Sequence, residues 1–213
     1  MTTQVTLAQL LKLAPNIRSS YRGAFQNGQA LLDQHKISAS PLRVAHFMAQ
    51  ILHESSGLSI HFENLNYSAA RLPKVWPSRF KPKGPLDPDD YAHNSQKLAN
   101  EVYGGRMGNV GPNDGYTYRG RGLLQLTGKV SYQEATTIIR KDYPTAPDFV
   151  VSPDEVISAD WCLHIAVTEW VAKGCNAFAD QDNIRKVTKA INGGLIGLND
   201  RIDWAKRTKA IWH

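Results

Sequence analysis

Two glutamates nine residues apart, Glu54 and Glu63, are the side chains best suited to chemistry in this chain. A pair of carboxyls can split a glycosidic bond when one protonates the leaving oxygen and the other draws a proton from water. Inverting enzymes hold the two about 6.5–9.5 Å apart, with room for that water. On one continuous helix these glutamates would point to opposite sides and lie roughly 13 Å apart along the axis. The sequence interrupts the helix between them. Glu54 closes an apolar run, and Gly57 follows, a residue that adopts the left-handed conformation at a helix end without a Cβ penalty. The next segment can then fold back and turn both carboxyls to one cleft. The competing interpretation is two unrelated surface carboxylates, since most carboxylates face solvent. The pair therefore carries weight only with support from the rest of the chain.

The element that must position Glu54 is legible. Ser40 can cap a helix and Pro41 suits its first turn. Val44, Met48, Ile51 and Leu52 then recur at helical spacing, and Ala45 and Ala49 leave room for a close neighbour. Around this helix the pattern predicts a short helix from Thr6 to Leu13 and a second from Asn16 through Tyr21 and Phe25 to Leu32. A short helix follows Ser68. The Pro-, Lys- and Gly-rich stretch 77–88 reads as a boundary or loop. A helix is expected over 89–102, a glycine-rich loop or short hairpin over 107–122, with any hairpin placed near 116–126, and a helix over 131–140. Ser152 with Glu155 has capping-box spacing and opens a predicted helix that stops near Gly174. Helices over 183–191 and 199–212 complete a mainly α chain. Trp161, Trp170, Trp204 and Trp212 fall at core positions, and Trp76 beside Pro77 is the aromatic expected at the surface.

With 213 residues the chain fits one domain, or one domain with two lobes, and needs no disulfides. Cys162 and Cys175 lack metal or redox spacing and read as reduced core thiols; one disulfide between them is left open. A net charge of +6 favours polyanions such as an anionic cell wall. The charges form no stripe, so nucleic acid is not an expected partner, and Arg119 and Arg121 in a single RGRG stretch do not change that. No apolar run reaches the length of a membrane span. The N-terminal residues lack the basic and cleavage features of a signal peptide, which predicts residence in a cytoplasm and delivery by something else.

Several stretches together resemble glycoside hydrolase family 19, which holds chitinases and related phage endolysins that cut peptidoglycan. They are AHFMAQILHESSG (45–57), FENLNYSAARL (62–72), YRGRGLLQLTG (118–128) and AINGGLIGLNDRI (190–202) with the following Trp204. They occur in the family's order and span most of the chain, and the phage form fits best. The resemblance implies a lysozyme-like helical body with a smaller inserted lobe, roughly 81–145, and a cleft between them. It also implies that Glu54 is the general acid, Glu63 the general base, and Thr127 the hydroxyl that steadies the attacking water. Arg121, Gln125, Asn192 and Arg201 match cleft positions, and Tyr67 and Tyr118 match sugar contacts. Where the family often has Asn, four residues after Thr127, this chain has Ser131, so a substrate or water contact there is altered. The implied enzyme is a monomer needing no metal or organic cofactor. It waits in the host cytoplasm and reaches the wall through a separate pore-forming protein.

Two other classes compete with this reading. His53-Glu54 begins a zinc-peptidase motif, but that motif needs histidine where Gly57 stands. Zinc at His53 with His46 or His61 has no motif behind it, and His53 reads as a hydrogen-bonding support. A non-catalytic wall- or chitin-binding protein would not need Glu54, Glu63 and Thr127 together. The motifs do not separate peptidoglycan from chitin; positive charge and the phage-like form favour peptidoglycan.

Overall fold

The structure, a computed structural model, describes residues 2–213. Its helices are α1 (Leu7–Leu13), α2 (Ser19–Gln26), α3 (Gln29–Gln34), α4 (Pro41–Glu54), α5 (Leu72–Val75), α6 (Ser95–Tyr103), α7 (Asp114–Thr117), α8 (Lys129–Asp142), α9 (Cys162–Ala172), α10 (Cys175–Asp180), α11 (Ile184–Asn192) and α12 (Leu198–Lys209). Among the described residues there is no strand, only two isolated bridges, Phe80–Leu86 and Arg121–Leu126. The class is mainly α, as the sequence predicts. The chain forms two compact units. The first comprises the residues up to His61, Arg121–Leu126 and Gln133–His213; the second comprises Phe62–Gly120 and Thr127–Tyr132. The stretch 77–88 lies inside the second unit.

The first unit is built on α4. The Ser40 hydroxyl accepts from the Arg43 amide and Pro41 occupies the first turn, as their types require. Every residue from Val44 to Leu52 is buried, so α4 is a central helix rather than an amphipathic one. Burying Phe47, Met48, Ile51 and Leu52 contributes about 1.5–3 kcal/mol each. Helix α12 packs along α4, and the Thr208 hydroxyl donates to the Ala45 carbonyl at 2.9 Å. Buried His46 meets Asp182 at 2.7 Å. Helix α4 stops abruptly. Ser56, Gly57 and Leu58 all have left-handed φ, and the Gly57 amide donates to the Leu52 carbonyl at 2.7 Å. The Ser55 hydroxyl donates to Ile51 O and accepts from the Leu58 amide, which holds the two non-glycine residues in a conformation that costs them energy.

The second unit has its own small core of Leu65, Leu72, Phe80, Leu98, Ala99 and Val102 from α5, α6 and the loops around them. Tyr67, Trp76, Tyr91, Tyr103 and Tyr116 close over it. Trp76 is thus half-buried, its ring edge-on to Tyr67 at 5.1 Å, rather than a free surface aromatic.

Three predicted helices are cut, one by a contact distant in sequence and two by local turns. The run 16–32 divides at Gly28, where an added Cβ would sit 2.3 Å from Leu163 of α9, so close approach of α9 sets the break. The run 89–102 divides because His93 takes a left-handed φ and the Asn94 side chain caps α6 through the Lys97 amide. The Ser152 side chain makes no capping bond. A 3-10 turn over Pro153–Ile157 ends at extended Ser158, whose hydroxyl accepts from the Trp161 amide before α9 begins. The hairpin expected near 116–126 is α7 followed by a bridged loop.

Cys162 and Cys175 are free and buried. Burial pushes each thiol from 9.0 up to about 12. The unfolded chain ionises these thiols near pH 9 while the folded one keeps them protonated. Their contribution is therefore complete below pH 9 and is lost as pH rises toward 12. The urea midpoint is expected to fall across that window and to fall less steeply in the Cys162→Ala/Cys175→Ala double variant. Equal slopes would show that the thiols do not set the alkaline limb.

Candidate active site

Glu54 is the last residue of α4, and the start of α12 grips it. Arg201 donates one guanidinium nitrogen to Glu54 Oε1 and the other to Gln50 Oε1. Gln50 and Glu54 stand one turn apart on the same face, so one fork spans both. The neighbouring residue of α12 holds the neighbouring residue of α4: Asp200 Oδ2 meets His53 Nδ1 at 2.6 Å. Gly197, in left-handed conformation, caps α12 against the His53 ring, and an added Cβ there would lie 2.5 Å from it. The Arg201 side chain is 2% exposed and that of Glu54 17%, so the pair is shielded yet the carboxylate keeps access. A third carboxyl, Glu169 of α9, bonds Lys173 at 2.9 Å, and Lys173 also donates to Ile191 O at 2.8 Å. Burial pushes the Glu169 carboxyl upward; Lys173 pulls against this and the charge of Glu54 adds to it. Asn192 is exposed at the end of α11, where Gly193 turns the chain.

Glu63 belongs to the second unit and is fixed through both oxygens. The Tyr103 hydroxyl donates to Oε2 at 2.6 Å and the Gly120 amide donates to Oε1 at 2.6 Å, while the Glu63 amide returns a bond to Gly120 O at 3.0 Å. Burial, with the Glu63 charge beside it, pushes the Tyr103 phenol far up, so it remains a donor. The loop around Glu63 is tied by its asparagines. Asn64 Oδ1 accepts from the Asn66 amide, and Asn66 Oδ1 meets His93 Nδ1 at 2.8 Å. Glu63, Asn64, Tyr116 and Arg119 line a cavity of about 210 Å³.

The other anticipated residues divide between packing and loops. Tyr118 is 5% exposed, its ring edge-on to Tyr132 at 5.2 Å. Tyr67 is half-buried against Trp76. Arg121 is buried and pairs with Asp154 at 2.7 Å. Gln125 has left-handed φ and donates to Gly122 O at 2.9 Å in the first unit, and Thr127 is half-buried in the second. Sequence reasoning missed Gln50, Tyr103, Asp200 and Glu169. Only Gln50 left a trace, its one-turn spacing from Glu54. The three histidines considered for zinc are engaged separately: His46 with Asp182, His53 with Asp200 and His61 with Ser20. Among the described residues no group of three or more His, Cys, Asp or Glu is arranged to hold a metal, and no helix is long and apolar enough to cross a membrane. A cavity of about 490 Å³ lined by Tyr143, Trp161 and His164 in the first unit contains neither Glu54 nor Glu63.

Solved structures share the fold. Chitinase C from Streptomyces griseus matches with a TM-score of 0.59 at 18% identity, over 99% of this chain and 93% of that one. A bacterial family 19 chitinase matches with 0.58 at 20% identity, over 98% and 94%. The chain therefore shares their mainly α, lysozyme-like fold. No family model matches the chain. A glycosyl hydrolase family 19 domain-containing protein of Haemophilus influenzae is 31% identical over 203 residues, 94% of each chain. This chain belongs to glycosyl hydrolase family 19 and is a glycoside hydrolase.

Proposed function

We propose that the protein is an endolysin that hydrolyses β-1,4 bonds of bacterial peptidoglycan with inversion at the anomeric carbon. Glu54 is the acid, Glu63 the base, and Thr127 steadies the water. Oε1 of Glu54 is taken by Arg201, which leaves Oε2 to carry the proton. That proton goes to the glycosidic oxygen as the C1–O bond breaks and its electron pair stays with the leaving sugar. Glu63 takes a proton from water, whose oxygen bonds C1 from the opposite face. Solvent exchange then restores both carboxyls. The observation that carries this assignment is the contrast in support: a guanidinium fork for Glu54, and a phenol plus a backbone amide for Glu63. The resemblance to family 19 implies a role for both carboxyls, and each here is held by its own group of partners.

The net charge of +6 favours an anionic wall over neutral chitin. Chitin is the second substrate reading, supported by the solved neighbours, which are chitinases. Mass spectrometry of digested peptidoglycan, run beside chitohexaose, separates them. New reducing-end sugars from peptidoglycan, with at most slow chitohexaose cleavage, are expected. Cleavage of chitohexaose alone would overturn the peptidoglycan assignment.

Tyr103→Phe tests the base. It removes a charge-assisted bond worth about 1.5–3 kcal/mol to the Glu63 carboxylate. On peptidoglycan kcat/KM is expected to fall by about tenfold to a hundredfold, because the carboxylate that draws the proton from water has lost one of the two donors that orient it. An unchanged kcat/KM would mean that the Tyr103 bond does not set the position of Glu63.

A further inference from the structure

Arg119 is held by aromatic rings rather than by a carboxylate. Arg43, Arg79, Arg121 and Arg201 each pair with a carboxylate. The Arg119 guanidinium instead lies between two rings, 4.3 Å from the centroid of Phe62 and 3.9 Å from that of Tyr116. One nitrogen, Nη1, donates to the Tyr116 carbonyl at 2.7 Å. No described carboxylate forms an ion pair with it. Ring faces hold a cation without neutralising it, and a single carbonyl occupies only part of a five-donor fork. The group is half-buried, oriented and charged, and it lines the same cavity as Glu63. Arg207 also stacks on a ring, that of Trp204 at 3.9 Å, and what sets Arg119 apart is its place in the cavity of Glu63. An arginine clamped beside the base with donors uncommitted is arranged to receive an anion from outside.

We infer that Arg119 is a specificity residue that takes a carboxylate of the lactyl–peptide branch of peptidoglycan, beside the bond being cut; the inference rests on the peptidoglycan reading above. A planar guanidinium matches a carboxylate through two parallel bonds. A neutral N-acetylglucosamine polymer offers only hydroxyl and amide groups there. Preorganisation by Phe62 and Tyr116 spares most of the ordering cost of a long side chain. Arg119 thus favours an anionic glycan over chitin, while Glu54 and Glu63 serve both.

The test is a cycle with one protein change and one substrate change. Peptidoglycan is used as isolated, or after carbodiimide coupling with methylamine, which turns its carboxylates into neutral amides and leaves the glycosidic bonds intact. Initial release of reducing ends is measured for the parent, Arg119→Gln and Arg119→Lys on both substrates. Amidation is expected to slow the parent by tenfold to a hundredfold, on the order of one charge-assisted bond. It is expected to slow Arg119→Gln far less, and Arg119→Lys, which keeps the charge but not the fork, by an intermediate factor. Equal slowing of all three proteins would overturn the role of Arg119 while leaving the enzyme assignment intact. No cleavage of either substrate by the parent would instead remove the peptidoglycan reading itself.

Discussion

Glu54→Gln is expected to lower kcat/KM on peptidoglycan by about 10³-fold, within the range of a lost general acid. Glutamine keeps the size of the side chain and can still accept from Arg201 through its amide oxygen, so the fold should survive. What it lacks is a proton to give the leaving sugar. At position 63 the same change is less clean. Tyr103 and the Gly120 amide both donate to Glu63, one to each oxygen, and glutamine would turn an NH₂ toward one of these donors. Glu63→Ala avoids that clash. Its turnover is expected to fall about as far as that of Glu54→Gln and to be partly restored by azide, a nucleophile that needs no base. The product would be the α-glycosyl azide, because attack comes from the face opposite the leaving group. Full activity of both variants would remove the acid/base assignment; rescue with retained configuration would replace inversion by a covalent intermediate.

The parts of this molecule that its sequence reveals are those set by neighbours in the chain. Ser40 and Pro41 start α4, and Gly57 with the two serines before it ends it, each through bonds within five residues. The separation of Glu54 from Glu63 by a helix stop is therefore a local fact, readable in advance. The settings of the two carboxylates are not local. Arg201 meets Glu54 from 147 residues away, and Tyr103 meets Glu63 from 40. No periodicity encodes either meeting, and for Arg201 and Glu63 family resemblance supplied a role without a geometry. Tyr103 carried no signal, being an ordinary aromatic at the end of a short helix. Of the misjudged helix breaks, the one at Gly28 has the same non-local origin, whereas the one near Ser158 is a local turn. Gly28 is a break because Leu163 presses on it, and Ser158 rather than Ser152 opens α9 because of where the preceding 3-10 turn leaves the chain. Tyr118 looked like a sugar contact by motif, yet its ring is spent on packing against Tyr132. Arg119, three residues from Tyr116 and far from Phe62 in sequence, gains its setting only when the loop closes.

Arg201→Met is expected to have the largest effect on stability of any single change at the site. It leaves Glu54 shielded without its cation and Gln50 without its donor, and removing one partner of a buried pair costs about 3–5 kcal/mol. For a chain of this length that corresponds to a fall in Tm of roughly 6–20 °C. Arg201→Lys should lie between the parent and Arg201→Met, since an ammonium restores the charge but cannot span two acceptors one turn apart. The decisive comparison is Arg201→Met made in Glu54→Gln. A carboxamide needs no counter-charge, so the second substitution should cost much less there, leaving a coupling of about 1.5–3 kcal/mol between the two positions. If Arg201→Met lowers Tm equally in both backgrounds, the guanidinium supports α12 and α4 by packing alone. The grip on Glu54 would then be incidental to the fold, and its purpose would have to be sought in catalysis, where kcat of Arg201→Lys below its own Tm gives the separate measure.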